Sequence, residues 1–254
     1  MQLVMDNQTN LVQKIKTTVE ESNHLFPHYL SGLSHDIRTP LSAIIGFSDL
    51  LAEPRVSRVD QRNYCLMIAR SSRKLLDLMS NLIDLAKMET GNLELFFKPV
   101  YFKDLVEELK IEMDEMSALY EKKHLNISYI APADSLSAVF TDKGRLFQIV
   151  KILMENSLRF TKEGSITLLI KHASPESCTI EVSDTGCGID NETLENLFEM
   201  FPPPNPPLGK KMKARGMSLS VVKKLCDMMG IAIGVDSKIG VGTTMHLSIP
   251  CRTL

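Results

Sequence analysis

No apolar run in the 254-residue sequence approaches the roughly 18 residues that a bilayer-crossing helix needs. The opening MQLVMDNQTNLVQK lacks the charged-then-apolar order of a signal peptide. A helical pattern is already under way by Leu11, as though the segment continued a longer protein. Cys65, Cys178, Cys187, Cys226 and Cys251 are scattered without CxxC spacing, which argues against a disulfide framework and a zinc site and for a reducing compartment. A formal charge of -2 shows no excess that would suit nucleic acid or an anionic membrane surface. Internal repeats are absent. What is present is an ordinary globular composition, 44% hydrophobic and 24% charged, able to bury a core.

From Leu11 to about Thr90 apolar residues recur at three- and four-residue steps, the period of an amphipathic helix. One stripe runs through Leu30, Leu33, Ile37, Leu41, Ile44 and Leu51, and Glu53-Pro54-Arg55 interrupts it. A second runs through Tyr64, Ile68, Leu75, Leu78, Leu82 and Leu85 until Gly91, a residue suited to closing a helix. Two helices joined by a short turn cannot enclose their own seams, so pairing of two copies as a four-helix bundle is expected.

After Gly91 the pattern changes. Runs suited to strands (93–97, 125–130, 165–171, 179–183, 231–235 and 243–249) alternate with helical stretches near 102–121, 142–160 and 217–229. With Pro175-Glu176-Ser177 turning one pair, this predicts an α/β sandwich whose mixed sheet carries helices on one face. The expected domains are 1–91, with 1–25 as an incoming helix or linker, and 92–254. Phe201 to Arg215, rich in proline, reads as a functional or mobile loop.

Candidate chemistry begins in LSHDIRTPLSAIIGFSDLL. A neutral imidazole at His35 is a nucleophile toward phosphorus, and Asp36 beside it suits the proton of the ring's other nitrogen. Thr39 falls one turn on, on the same face. Pro40 withholds the hydrogen bond that would reach the carbonyl of Asp36, which predicts a bend. A lone His-Asp pair is usually just a solvent-facing helix feature, and His24 and His28 are read that way. The whole string Ser-His-Asp-Ile-Arg-Thr-Pro-Leu inside an amphipathic hairpin, however, resembles the phosphoacceptor box of the sensor histidine kinases of two-component systems.

That resemblance implies an ATP-binding domain downstream, and its landmarks recur in order. Asp184-Thr-Gly186-Cys-Gly188 follows a predicted strand; the carboxylate suits the exocyclic amine of adenine, and the glycines allow close backbone approach. The stretch RLFQIVKILMENSLRFTKEGSI resembles the family's asparagine box, which implies Mg²⁺ on Asn156 and phosphate near Arg159. Leu197-Phe198-Glu199-Met200-Phe201 resembles the phenylalanine box. Gly240-Val-Gly242-Thr243 resembles the last glycine box, with Thr243 near adenine. The likeness runs from about Tyr29 to Pro250.

The lid departs from the family. In Ala214-Arg215-Gly216-Met217-Ser218-Leu219 only Gly216 keeps the glycine that suits a phosphate wrap, while Lys210, Lys211, Lys213 and Arg215 offer side-chain cations. Ile152 stands where a second amide is common. The resemblance implies an enzyme that phosphorylates its own His35 from Mg-ATP and passes the phosphoryl group to an aspartate of a response regulator. It would be a cytoplasmic homodimer, attached to membrane only through segments absent from this sequence. Rivals are a kinase-impaired relative acting as phosphatase or interaction module, and an ATPase of the chaperone and topoisomerase superfamily.

Overall fold

The computed structural model describes residues 36–132, 138–174, 177–199 and 217–250. They fall into two compact units, one ending at Leu75 and the other beginning at Leu76. Helix α2 contributes to both.

In the first unit, helix α1 covers 36–51 among the described residues and runs through a buried Pro40. A turn over 52–57 leads to α2, Arg58–Glu89. Ser57 starts α2: its Oγ accepts from the Asp60 N–H at 3.1 Å and donates to the Asp60 carboxylate at 2.6 Å, supplying an orphan amide with an acceptor. Phe47 stacks on Tyr64 with centroids 5.7 Å apart, so the two helices form the expected hairpin. Past α2, Gly91 takes φ 68, and the Asn92 N–H reaches back to the Lys87 carbonyl at 2.8 Å, a helix stop that needs a left-handed residue.

The second unit is built on a five-stranded mixed sheet in the order β2-β4-β5-β7-β6. Its strands are β2 (Asn126–Ile130), β4 (Ser165–Ser174), β5 (Ser177–Asp184), β6 (Ala232–Lys238) and β7 (Gly242–Pro250). β2 pairs parallel with β4, and the other pairs are antiparallel. Alternate residues Ile166, Leu168 and Ile170 of β4, Cys178, Ile180 and Val182 of β5, and Met245, Leu247 and Ile249 of β7 are buried, the period-two pattern of a sheet covered on one face. The cover is α4 (Lys143–Phe160), which packs on β4 and β5 with α3 (Phe102–Leu119) and α6 (Ser218–Met229) beside it. Each fully buried Leu, Ile or Val contributes about 1.5–3 kcal/mol, so this interlayer core dominates the unit's stability. A short α5 spans Asn191–Glu195.

Two details differ from the sequence expectation. Of the expected 93–97 run, residues 93–96 are irregular, and strand β1 is Phe97–Tyr101 instead, pairing antiparallel with β3 (Ala138–Asp142) in a separate two-stranded sheet. Pro99 is tolerated there because β1 is an edge strand. β3 went unpredicted because it is short and runs straight into α4: its last residue, Asp142, is the helix N-cap, accepting from the Arg145 N–H at 3.0 Å and the Phe96 N–H at 2.8 Å.

Candidate functional site

Four strands end in one row. Asp184, last in β5, lies opposite Ile166 of β4 and Thr243 of β7, and Thr243 lies opposite Ser237 of β6. Ile166 and Thr243 are buried, and Asp184 shares parity with the buried Cys178, Ile180 and Val182, so the row faces the helices. There α4 presents Ser157, whose hydroxyl donates to Asp184 Oδ2 at 3.0 Å. The Gly186 N–H donates to Asp184 Oδ1 at 2.9 Å. The carboxylate is thus held in a fixed plane with lone pairs to spare. Along the row, the hydroxyls of Ser237 and Thr243 are 2.8 Å apart, and Ser237 Oγ also accepts from the Ile189 N–H at 2.9 Å and donates to the Gly242 carbonyl at 3.0 Å. A cleft of about 360 Å³ opens beside them, lined in part by Asp184, Ser237, Gly242 and Thr243.

The glycines of both motifs admit the chain's own backbone. A Cβ on Gly242, at φ +138, would stand 1.9 Å from the Asp184 carbonyl oxygen, and one on Gly188, at φ +68, 2.1 Å from that of Lys238. Gly186 lies beside the Phe160 carbonyl. The loop after β5 therefore nests against the β6–β7 turn and the end of α4.

Asn156, one residue before Ser157, has a buried Nδ2 without a hydrogen-bond partner. Buried polar atoms are seldom left so, and an amide of this kind fits a polar ligand; its oxygen is a hard donor of the sort Mg²⁺ accepts. Among the described residues no cluster of three His, Cys, Asp or Glu offers an all-protein metal site. Arg159 is exposed and lies over the Phe160 ring at 5.5 Å from its centroid, apart from the hydrogen bonds that organise Asp184. Ile152, in the place of a second amide, is buried in the helix's apolar face. Phe198 is half-buried in the turns after α5.

On the hairpin, Asp36 is half-buried and Thr39 exposed, three residues apart on α1. His35, Gly216, Phe201 and the cations Lys210, Lys211, Lys213 and Arg215 lie outside the described residues. Ser157 lies inside the quoted asparagine-box stretch but was given no role there, and Ser237 belongs to no quoted motif; what would have pointed to them is their position beside Asn156 and on the strand facing Thr243.

Residues 28–91 match the family model described as His Kinase A (phospho-acceptor) domain, and residues 141–253 that described as Histidine kinase-, DNA gyrase B-, and HSP90-like ATPase. The chain belongs to the sensor histidine kinases of two-component systems. Sensor histidine kinase GacS of Pseudomonas protegens is 30% identical over 90% of this histidine kinase chain and 25% of its own length. Autoinducer 2 sensor kinase/phosphatase LuxQ of Vibrio parahaemolyticus is 29% identical over 97% of the chain and 29% of its own. The chain thus spans 25–29% of the length of these curated relatives. Among solved structures, histidine kinase ThkA in complex with response regulator protein TrrA shares the fold, with TM-score 0.64 at 19% identity, covering 92% of this kinase chain and 64% of ThkA. No helix among the described residues is long and apolar enough to cross a membrane.

Proposed function

We propose that this chain is the catalytic core of a protein-histidine kinase: residues 92–254 bind Mg-ATP, residues 1–91 dimerise and carry the phosphoacceptor His35, and the phosphoryl group passes on to an aspartate of a response regulator. The observation that carries the reading is the Asp184 carboxylate, oriented by Ser157 and Gly186 at the end of a row shared with Thr243. This is an acceptor built for a base amine, inside a segment of ATPase family and downstream of a phosphoacceptor segment. Asn156 would hold Mg²⁺, which neutralises triphosphate charge when bound. A ring nitrogen of His35 forms a bond to the γ-phosphorus as the bond to the bridging oxygen breaks and ADP leaves; Asp36 takes the proton from the other ring nitrogen. Thr39 orients water for the reverse task, dephosphorylation of the regulator, a dual role that the name of LuxQ also carries.

Homodimerisation is supported by the exposure of Leu76, Met79 and Ile83 at helical spacing on α2 and of Leu41 and Ile45 on α1, apolar faces that a second hairpin would cover. The regulator would dock on that bundle beside His35. The cytoplasm supplies ATP and keeps the thiols reduced, and is the proposed location.

The test is incubation with γ-labelled Mg-ATP, followed by acid treatment and by mass spectrometry at neutral pH. Acid-labile phosphate on His35, lost in His35→Gln and Asp184→Asn, is the expected result. A second reading, a kinase-impaired member acting as phosphatase, is favoured by the buried apolar Ile152; unlabelled protein that still removes phosphate from a regulator would establish it. ATP turnover unchanged in His35→Gln would favour the ATPase alternative.

A further inference from the structure

We propose that Ser157 is a specificity-determining positioning residue: its hydroxyl holds the Asp184 carboxylate as an oriented acceptor for the exocyclic amine of adenine, an inference that rests on the nucleotide reading above. The torsion that sets a carboxylate plane is intrinsically broad, so hydrogen bonds must define it. Among the described residues Asp184 receives two. The Gly186 N–H comes from its own loop, two residues along, and travels with it. Of the two, Ser157, 27 positions away and 5% exposed, is the one that ties the carboxylate to another element, the long helix α4.

Two consequences follow from that placement. First, the Ser157 proton is committed to Oδ2 and the Gly186 proton to Oδ1, so the remaining lone pairs are acceptors only. Adenine offers a donor to such a group, whereas guanine offers a carbonyl oxygen at the same ring position, acceptor against acceptor. A site whose buried polar group is left unpaired rejects the mismatched ligand strongly. Second, Ser157 adjoins Asn156, so one hydrogen bond also locks the helix bearing the unpartnered amide to the strand bearing the base-side carboxylate.

The experiment measures calorimetric affinities of the full chain for ADP, GDP and purine riboside diphosphate, which lacks the amine, in Mg²⁺ buffer. Ser157→Ala is expected to weaken ADP about tenfold or more, the scale of a hydrogen bond to a charged group, to narrow the ADP-over-GDP preference, and to leave purine riboside diphosphate within about twofold. Alanine suits a helix interior. Ser157→Cys, with a weak donor of similar size, keeps the comparison available should the alanine variant not fold, and is expected to fall between. Wild-type binding of ADP with the variants unchanged, or equally weakened for all three ligands, overturns the role of Ser157 and leaves the nucleotide reading standing. Wild-type protein that binds none of the three overturns both.

Discussion

Asp84 and Arg145 are 61 positions apart in sequence, yet Arg145 Nη1 donates to Asp84 Oδ1 at 3.0 Å. The same carboxylate accepts from Gln148 Nε2 at 2.7 Å, and Arg145 also donates to Gln148 Oε1 at 2.8 Å. Together with Asn81 donating to Ser218 and the Lys224–Glu89 ion pair, this network fastens the last turns of α2 to the starts of α4 and α6. Asp84→Ala strands two donors in a mostly buried place and is expected to cost about 2–3 kcal/mol. Asp84→Asn, which keeps one acceptor, should cost less. Urea unfolding measures both, and an alanine variant within about 0.5 kcal/mol of wild type would contradict the network's role.

Gly240 and Gly242 both have positive φ, but only Gly242 has a neighbour in the way. Gly240→Ala meets open space and should cost about 1–2 kcal/mol for the left-handed backbone alone. Gly242→Ala drives a methyl into the Asp184 carbonyl and should cost at least about 3 kcal/mol, since strain and overpacking add, and should abolish nucleotide binding by displacing Asp184. Equal losses in the two variants would show that the turn yields more freely than its packing implies.

Thr161 is fully buried and its hydroxyl has no hydrogen-bond partner. Replacing an unpaired buried hydroxyl by a methyl removes a desolvation penalty, so Thr161→Val is expected to be neutral or stabilising by up to about 1 kcal/mol. A loss of more than about 1 kcal/mol would mean that the hydroxyl is satisfied by a bound water. Thermal unfolding at neutral pH distinguishes the outcomes.

Burial pushes the Cys226 thiol up to about 12, with the Asp227 charge adding and Lys223 opposing; burial likewise raises Tyr129 to about 12, with Asp114 adding. Both groups are neutral when protonated, and the folded state holds those protons more tightly than the unfolded chain, whose groups titrate near 9.0 and 10.0. Their contribution is therefore complete below about pH 9 and is lost as pH rises toward 12. The melting temperature should fall across that window, and more shallowly in Cys226→Ala combined with Tyr129→Phe. Parallel curves for wild type and double variant would exclude these two groups as the cause.

Much of the architecture was readable from periodicity. The hairpin's stripes, the break at Glu53-Pro54-Arg55 and the stop at Gly91 are local signals, because helix geometry and left-handed caps depend on neighbours within one or two turns. The core strands β4, β5 and β7 alternate strictly and were found within a few residues. β1 was misplaced because Leu93-Glu94-Leu95-Phe96-Phe97 is apolar enough for a strand, but its pairing partner β3 aligns with Phe97–Tyr101, and pairing is a long-range choice.

For the candidate site, Asp184, Gly186, Gly188, Gly242 and Thr243 stood out as short motifs, each carrying its own backbone demand. The sequence by itself determined which residue types would be available and on which kind of element, since helical period, strand alternation and glycine tolerance are properties of adjacent residues. Only the tertiary structure decided that Asp184, Thr243 and Ser237 end in one row, and that Ser157 reaches across from α4 to orient the carboxylate. Strand register and the seating of a helix on a sheet come from packing between segments distant in sequence, and a slip of a single residue in any of these strands would turn that strand's side chain in the row to the opposite face.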